Sequence, residues 1–122
     1  MSPEKINIEQ KLSLFSDYWN PRVVGKLNGQ LVKLVKFKEE FVWHKHDFED
    51  EMFLVVSGQF NMELRDKTVT LKEGDFIIIP KGTEHRPVAE NEVHVMLFEP
   101  DSTLNTGDAK PSELTMHQLK EI

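Results

Sequence analysis

The residues best suited to chemistry in this sequence are three histidines and a glutamate. His44 and His46 are one residue apart, Glu51 follows five positions later, and His85 lies three positions after Gly82. Side chains alternate between the two faces of a β-strand, so His44 and His46 point the same way if this segment is extended, whereas a helix would send them to different sides. Two imidazoles on one face, near a carboxylate and a third imidazole, are typical of part of a metal site.

This set of residue types predicts the class of metal. Imidazole suits zinc, copper, iron and nickel, and a carboxylate makes the set more favourable for manganese and iron. We therefore predict one divalent transition metal (Mn, Fe, Ni or Zn) bound by His44, His46, Glu51 and His85. Four protein ligands on a six-coordinate ion leave two positions for water or substrate, which suits chemistry better than a purely structural role.

Each of these residues has an ordinary explanation when it is taken alone, as a solvent-facing or capping side chain. However, Glu51 and His85 adjoin strongly apolar stretches at residues 52–56 and 76–79. An unpaired carboxylate or imidazole is costly to bury in such surroundings, and coordination to a metal removes that cost. The four residues together therefore favour the metal site.

The elements that must position these residues are mostly short strands. Apolar patterns bounded by turn residues predict strands at residues 30–37, 41–46, 51–56, 59–64, 68–71, 76–79, 84–88 and 93–98. Regularly spaced short strands are typical of an all-β sandwich or barrel. Ile8, Leu12 and Phe15 have helical spacing and Asn7 is a suitable N-cap, so residues 7–16 are predicted to form a short amphipathic helix.

The length of 122 residues is enough for one domain. We expect an N-terminal helical segment at residues 1–20 and a β-barrel at residues 21–98. Residues 99–122 are rich in proline, asparagine, aspartate and other turn residues. We therefore expect an irregular C-terminal tail that wraps the barrel.

The two histidine-containing segments resemble the two motifs of the cupin superfamily. The first motif is His-x-His, three or four residues, Glu, six residues and Gly, and residues 44–58 match it with four residues before Glu51. The second is Gly, five residues, Pro-x-Gly, two residues and His, and residues 74–85 match it. The resemblance implies a double-stranded β-helix, a jelly-roll-like barrel, with His44, His46, Glu51 and His85 as metal ligands.

Neighbouring acidic residues are the alternatives to Glu51. Glu49 and Asp50 lie in the turn after His46, where strand alternation no longer decides which side chain points inward. The spacing to Gly58 favours Glu51.

Composition excludes some classes of partner. The formal net charge of −6 argues against nucleic acid, which calls for a basic surface. The first residues lack the order of a signal peptide, and no apolar run is long enough to span a bilayer. The sequence has no cysteine, which fits a reducing compartment. We expect a cytoplasmic protein.

Function is harder to predict than metal binding. We expect the protein to act on or bind a small polar or anionic molecule, with dioxygenase, isomerase and lyase chemistry as the options. The alternative is a metal-dependent binding or sensing module without turnover. A second titratable group inside the barrel distinguishes the two: His94 facing inward would favour catalysis, and a purely apolar pocket would favour binding.

The sequence also predicts a homodimer. Residues 52–56 and 76–79 are apolar on both faces of their strands. A strand of this kind needs cover on both sides, and one helix of about three turns is too short to supply it. We expect two copies to pack sheet against sheet.

Overall fold

The computed structural model describes residues 2–122, which fold mostly into β-strands. The helix and strands, in chain order, are α1 (Ile8–Leu12), β1 (Arg22–Leu27), β2 (Gln30–Glu40), β3 (Glu51–Ser57), β4 (Gln59–Leu64), β5 (Thr68–Lys72), β6 (Phe76–Ile79), β7 (His85–Pro100) and β8 (Lys120–Glu121). The helix among these residues is too short to cross a bilayer.

Strand β7 organises the sheet. Neighbouring strands follow the order β5-β4-β7-β2-β1-β8, and β3 pairs with both β7 and β6. The first part of β7 lies between β4 and the end of β2, and its second part lies between β2 and β3. Within residues 2–122 the strand pairing does not close into a ring, so the fold is a jelly roll with an open hydrogen-bonding path.

Side chains that alternate between the two faces of each strand determine which residues form the core. On β7, Val93, Val95 and Leu97 are buried, whereas the residues between them point outward and are only half-buried. The buried side meets the inner residues of β2, β3 and β4 in one apolar cluster that includes Phe37, Phe53 and Phe60. The three histidines and Glu51 therefore reach this interior from loops and from the ends of strands.

The N-terminal helix covers a separate patch outside this interior. Leu12 and Phe15 pack against Leu34 on the outer face of β2. The side chain of Asn7 accepts a hydrogen bond from the Gln10 amide at 2.8 Å, as its predicted role as N-cap requires. The helix ends at Leu12, earlier than predicted, because residues 13–16 form a turn and an extended segment.

Two strand predictions were wrong in extent. Residues 41–46 form no strand: only His44 makes an isolated bridge, to His85. The two strands predicted at 84–88 and 93–98 are one strand, β7, which continues through the buried Ala89 and the exposed polar residues 90–92 because a register shift opposite residues 37–39 of β2 accommodates them.

The remaining differences lie at the ends of the chain. Strand β1 was not predicted, since its short pattern is interrupted by Gly25, where its register with β2 shifts. The C-terminal tail is mostly turns, as expected, but Glu99 and Pro100 belong to β7 and the tail ends in β8, which pairs in parallel with β1.

Candidate metal centre

The backbone fixes two of the histidines against each other. His44 and His85 exchange both backbone hydrogen bonds across their bridge, at 3.1 and 2.9 Å. Each ring then donates from Nδ1 to a carbonyl oxygen two residues earlier, His44 to Val42 and His85 to Thr83, both at 2.9 Å. Such bonds select the tautomer whose Nε2 carries a free lone pair, the arrangement found around metals.

The other two residues complete a compact cluster. Glu51 begins β3, paired with Ile79 of β6, and its Oε1 lies 3.2 Å from Nε2 of His46 and 3.5 Å from Nε2 of His85. One potential ligand atom from each of His44, His46, Glu51 and His85 lies within 4.8 Å of the others. The four residues are 3%, 4%, 4% and 0% exposed, respectively.

The cluster leaves polar atoms without partners. Within residues 2–122, Nε2 of His46, Oε1 of Glu51 and Nε2 of His85 are buried and make no hydrogen bond. Buried polar atoms in native proteins are almost always paired, because an unpaired one costs its full desolvation energy. A divalent transition ion is the group that three imidazoles and a carboxylate satisfy together, so these residues fit the predicted metal.

The protonation states also suit a metal. Burial, together with the neighbouring charge of His85, lowers the pKa of His44 to about 4. Burial acts to raise the pKa of Glu51, but the neighbouring carboxyl group of Glu99 and the imidazoles of His46 and His85 hold that pKa well below its usual range. At neutral pH His44 is therefore a neutral base and Glu51 an anion, the forms that bind metal ions.

Comparison with known proteins places this geometry in a family. The family model described as the Cupin domain matches residues 31–99. The chain belongs to the cupin family. The predicted family resemblance and the all-β jelly-roll fold are confirmed, and this cupin carries a His-His-Glu-His cluster that is compatible with a metal ion.

Individual relatives agree with this assignment. A cupin-2 domain containing protein from Shewanella frigidimarina NCIMB 400 is similar with a TM-score of 0.77 and 45% identity, over 78% of this chain and 93% of that one. Protein NMB1881 from Neisseria meningitidis has a TM-score of 0.74 and 31% identity, over 80% of this chain and 100% of that one. Protein YdbB of Bacillus subtilis (strain 168) is 41% identical over 64 residues, which are 52% of this chain and 57% of YdbB. The chain spans about half the length of the curated relatives it matches.

A second buried polar group lies beside the cluster in this cupin, and the sequence analysis missed it. Lys33 and Glu99 are each 1% exposed, and their Nζ and Oε1 atoms are 2.6 Å apart. Burial and the charge of Glu51 raise the pKa of Glu99 well above its usual range, and the neighbouring Lys33 ammonium group acts against this shift. The available signal was Lys33 itself, which shares a strand face with Leu31 and Val35 and therefore needs a buried partner.

The interior next to the cluster is small and largely apolar. A cavity of about 30 Å³ adjoins His44 and Glu51 and is otherwise lined mainly by Trp19, Phe37, Phe41, Phe53 and Asn105. This volume accommodates one or two water molecules. The ring of Trp19 stacks on Phe37 and Phe41, with centroids 4.4 and 4.7 Å apart, and closes one side.

The remaining candidates lie away from the cluster. His94 points to the outer face, half-buried, where its ring contacts Glu92 at 2.6 Å. The carboxylate of Asp50 accepts from the Lys81 amide and that of Glu49 accepts from the Ser102 hydroxyl. The structure therefore brings Glu51, rather than Glu49 or Asp50, to the three histidines.

Proposed function

We propose that this cupin binds one divalent transition metal ion (Mn, Fe, Ni or Zn) through His44, His46, Glu51 and His85, and uses it to bind or transform a small polar or anionic molecule. The observation that carries the proposal is the set of unpaired, buried lone pairs that meet at one point. Three imidazoles and a carboxylate that meet at one point can share one ion that the chain does not supply.

The residues have distinct parts in this proposal. The carbonyl oxygens of Val42 and Thr83 orient the rings of His44 and His85, and Glu51 supplies the anionic ligand. When bound, the ion would supply Lewis acidity or oxygen activation. A divalent ion outweighs the single negative charge of Glu51, since Lys33 and Glu99 form their own pair, and this excess positive charge favours a ligand with an anionic or polar donor group.

One observation supports the alternative of a binding module without turnover. Among the described residues that line the cavity, the titratable ones are His44 and Glu51, both proposed ligands. His94, the candidate proton shuttle, lies on the outer face. Dioxygenase, isomerase and lyase chemistry stay the options for a catalytic role.

Removal of one ligand tests the metal proposal. In H46A the expected loss of metal affinity exceeds about a hundredfold, because loss of a direct ligand costs more than loss of an outer hydrogen-bond partner. Metal content is measured by elemental analysis of protein purified without added metal. The matched control is H94A, which removes an imidazole from the outer face and should leave the metal content unchanged.

Full metal occupancy in H46A would show that His46 is not a ligand. Wild-type protein that takes up none of the four metals after purification and direct addition would contradict the proposal as a whole.

We also propose a homodimer formed through the outer face of β3 and β6. Phe76 and Ile78 on β6 are 58% and 55% exposed, and Met52 and Leu54 next to them on β3 are half-buried. Within residues 2–122, β6 pairs with β3 alone and its other edge is free. A contiguous apolar patch at a free sheet edge favours a second copy of the same surface.

Light scattering at micromolar concentration tests the dimer. The expected mass is twice that of one chain, and I78E should halve it by placing a charge in the apolar contact. L27E is the matched control, because Leu27 is an exposed leucine on β1, away from this face. A wild-type monomer, or an I78E dimer, would contradict this interface.

A further inference from the structure

The segment that carries His44 and His46 is held from both sides, although it belongs to no strand. On one side the backbone of His44 bridges to His85. On the other side the amide of Lys45 donates to Oδ1 of Asp108 at 2.8 Å, and the amide of Asp108 donates to the Lys45 carbonyl oxygen at 3.1 Å. The C-terminal tail therefore takes the place of a neighbouring strand for the histidine segment.

Contact between the tail and this segment is unusually close at Gly107. Its φ of +53° is a conformation that glycine adopts without strain. A Cβ at this position would lie 3.1 Å from Cδ2 of His44 and would collide with the carbonyl oxygen of Lys45. No larger residue fits between the tail and the histidine segment without displacing one of them.

The tail segment is itself fixed from behind. The Asn105 side chain donates to the Leu114 carbonyl oxygen at 2.8 Å and accepts from the Met116 amide at 2.9 Å. The hydroxyl groups of Thr106 and Thr115 are 3.0 Å apart, and Thr106 is buried. Asn105 also lines the cavity beside His44 and Glu51. Residues 103–108, called the C-terminal strap below, are therefore rigidly placed over the site.

We propose that the C-terminal strap is a working part of the metal site, which positions His44 and His46 through Lys45 and slows exchange of the bound ion. The inference rests on the proposed metal binding. The strap lies outside residues 31–99, which the family model matches. Positioning contacts behind metal ligands typically change metal affinity by about 10–100-fold.

Metal release from the full-length protein tests the strap. Protein loaded with Zn²⁺ or Co²⁺ is mixed with excess chromogenic chelator, and the release rate is followed by absorbance. G107A is expected to release the ion at least about tenfold faster, because its methyl group displaces the strap from Lys45 and His44. G74A is the matched control: Gly74 has a φ of +89° but open space around its Cβ position, so it shares the backbone strain without the collision.

A milder pair of variants tests the hydrogen bond by itself. D108A removes the acceptor for the Lys45 amide and is expected to speed release about fivefold, as loss of one such bond implies. D108N keeps an Oδ1 acceptor at the same position and should release the ion at close to the wild-type rate. This pair decides the question even where G107A fails to fold.

The outcomes separate the two proposals. Wild-type protein that binds no Zn²⁺ or Co²⁺ overturns the proposed metal site and the strap with it. Wild-type protein that binds the ion, with release rates in D108A equal to those of D108N and wild type, overturns the strap alone. Faster release in D108A, restored in D108N, with G74A unchanged, supports the strap.

Discussion

Two buried polar clusters lie side by side in this cupin, and they differ in how they are satisfied. Lys33 and Glu99 meet at 2.6 Å, so this pair contains its own cation. The cluster of three histidines and Glu51 contains no cation, and three of its atoms make no hydrogen bond within residues 2–122. In the first cluster Lys33 supplies the opposite charge, although Oε2 of Glu99 also makes no hydrogen bond within residues 2–122, whereas the histidine cluster would take its cation from solution.

The two clusters illustrate two roles of buried polar residues, one that stabilises the fold and one that is suited to binding an ion. A chain that buries charge for stability has to supply both signs, because a single buried charge costs several kcal/mol. Glu51 links the two clusters, since its Oε1 lies 3.2 Å from Nε2 of His46 and 3.5 Å from Nε2 of His85, and its charge raises the pKa of Glu99. The Lys33–Glu99 pair should therefore stabilise the fold with or without metal, and the histidine cluster should depend on the metal.

Breaking the self-contained pair is expected to have the largest effect on stability. E99A leaves the Lys33 ammonium group buried without a partner, which should lower the free energy of unfolding by about 3–5 kcal/mol. The loss should be similar in metal-free and metal-loaded protein. Urea unfolding followed by circular dichroism measures it.

The control for E99A is the double variant K33M/E99L, which replaces both charges by apolar groups and should recover most of the lost stability. A double variant as unstable as E99A would show that the pair does more than balance charge, and the comparison between the two clusters would then fail.

The second largest expected effect is the pH dependence of the free energy of unfolding of the metal-free protein. Because the folded pKa of His44 is about 4 and its usual value is 6.5, the unfolded chain binds a proton at higher pH than the folded chain does. The titration of His44 therefore lowers the free energy of unfolding as the pH falls from 6.5 to 4, by about 3 kcal/mol in total. The raised pKa of Glu99 acts in the opposite direction and the lowered pKa of Glu51 in the same direction, so the effect of His44 has to be isolated by comparison.

The variant H44Q provides that comparison. Both proteins share Glu99, so the difference in their unfolding free energies should shift by about 3 kcal/mol against wild type between pH 7 and pH 4. Excess Zn²⁺ should suppress the shift, because a bound ion keeps the proton off the imidazole to lower pH. A difference that stays constant across this range would show that His44 is not a buried neutral base.

The sequence was sufficient to predict which four residues come together in the buried histidine and glutamate cluster, but not their surroundings. Residue type and spacing select His44, His46, Glu51 and His85, since local motifs determine where each side chain leaves its turn or strand. The partner of Lys33 lies 66 positions away at Glu99, a residue that the sequence analysis assigned to the irregular tail. Only the register of β2 against β7 brings these two together.

The wrong prediction at residues 41–46 has the same cause. Alternation correctly sends His44 and His46 to one side, but whether a segment becomes a strand depends on what lies along its edges. Here one edge meets His85 and the other meets Asp108 of the tail, and neither contact is visible in a local pattern. The cavity wall formed by Trp19 and Asn105 also comes from outside the motifs, at both ends of the chain.

The unpaired atoms of the histidine cluster are expected to share one metal ion. X-ray absorption spectroscopy of the metal-loaded protein tests this directly, because the scattering pattern of imidazole distinguishes histidine from carboxylate ligands. We expect three imidazole nitrogens and one carboxylate oxygen among the ligands of the ion, and loss of one imidazole in H46A. A spectrum with fewer than three imidazoles, or one that H46A leaves unchanged, would contradict it.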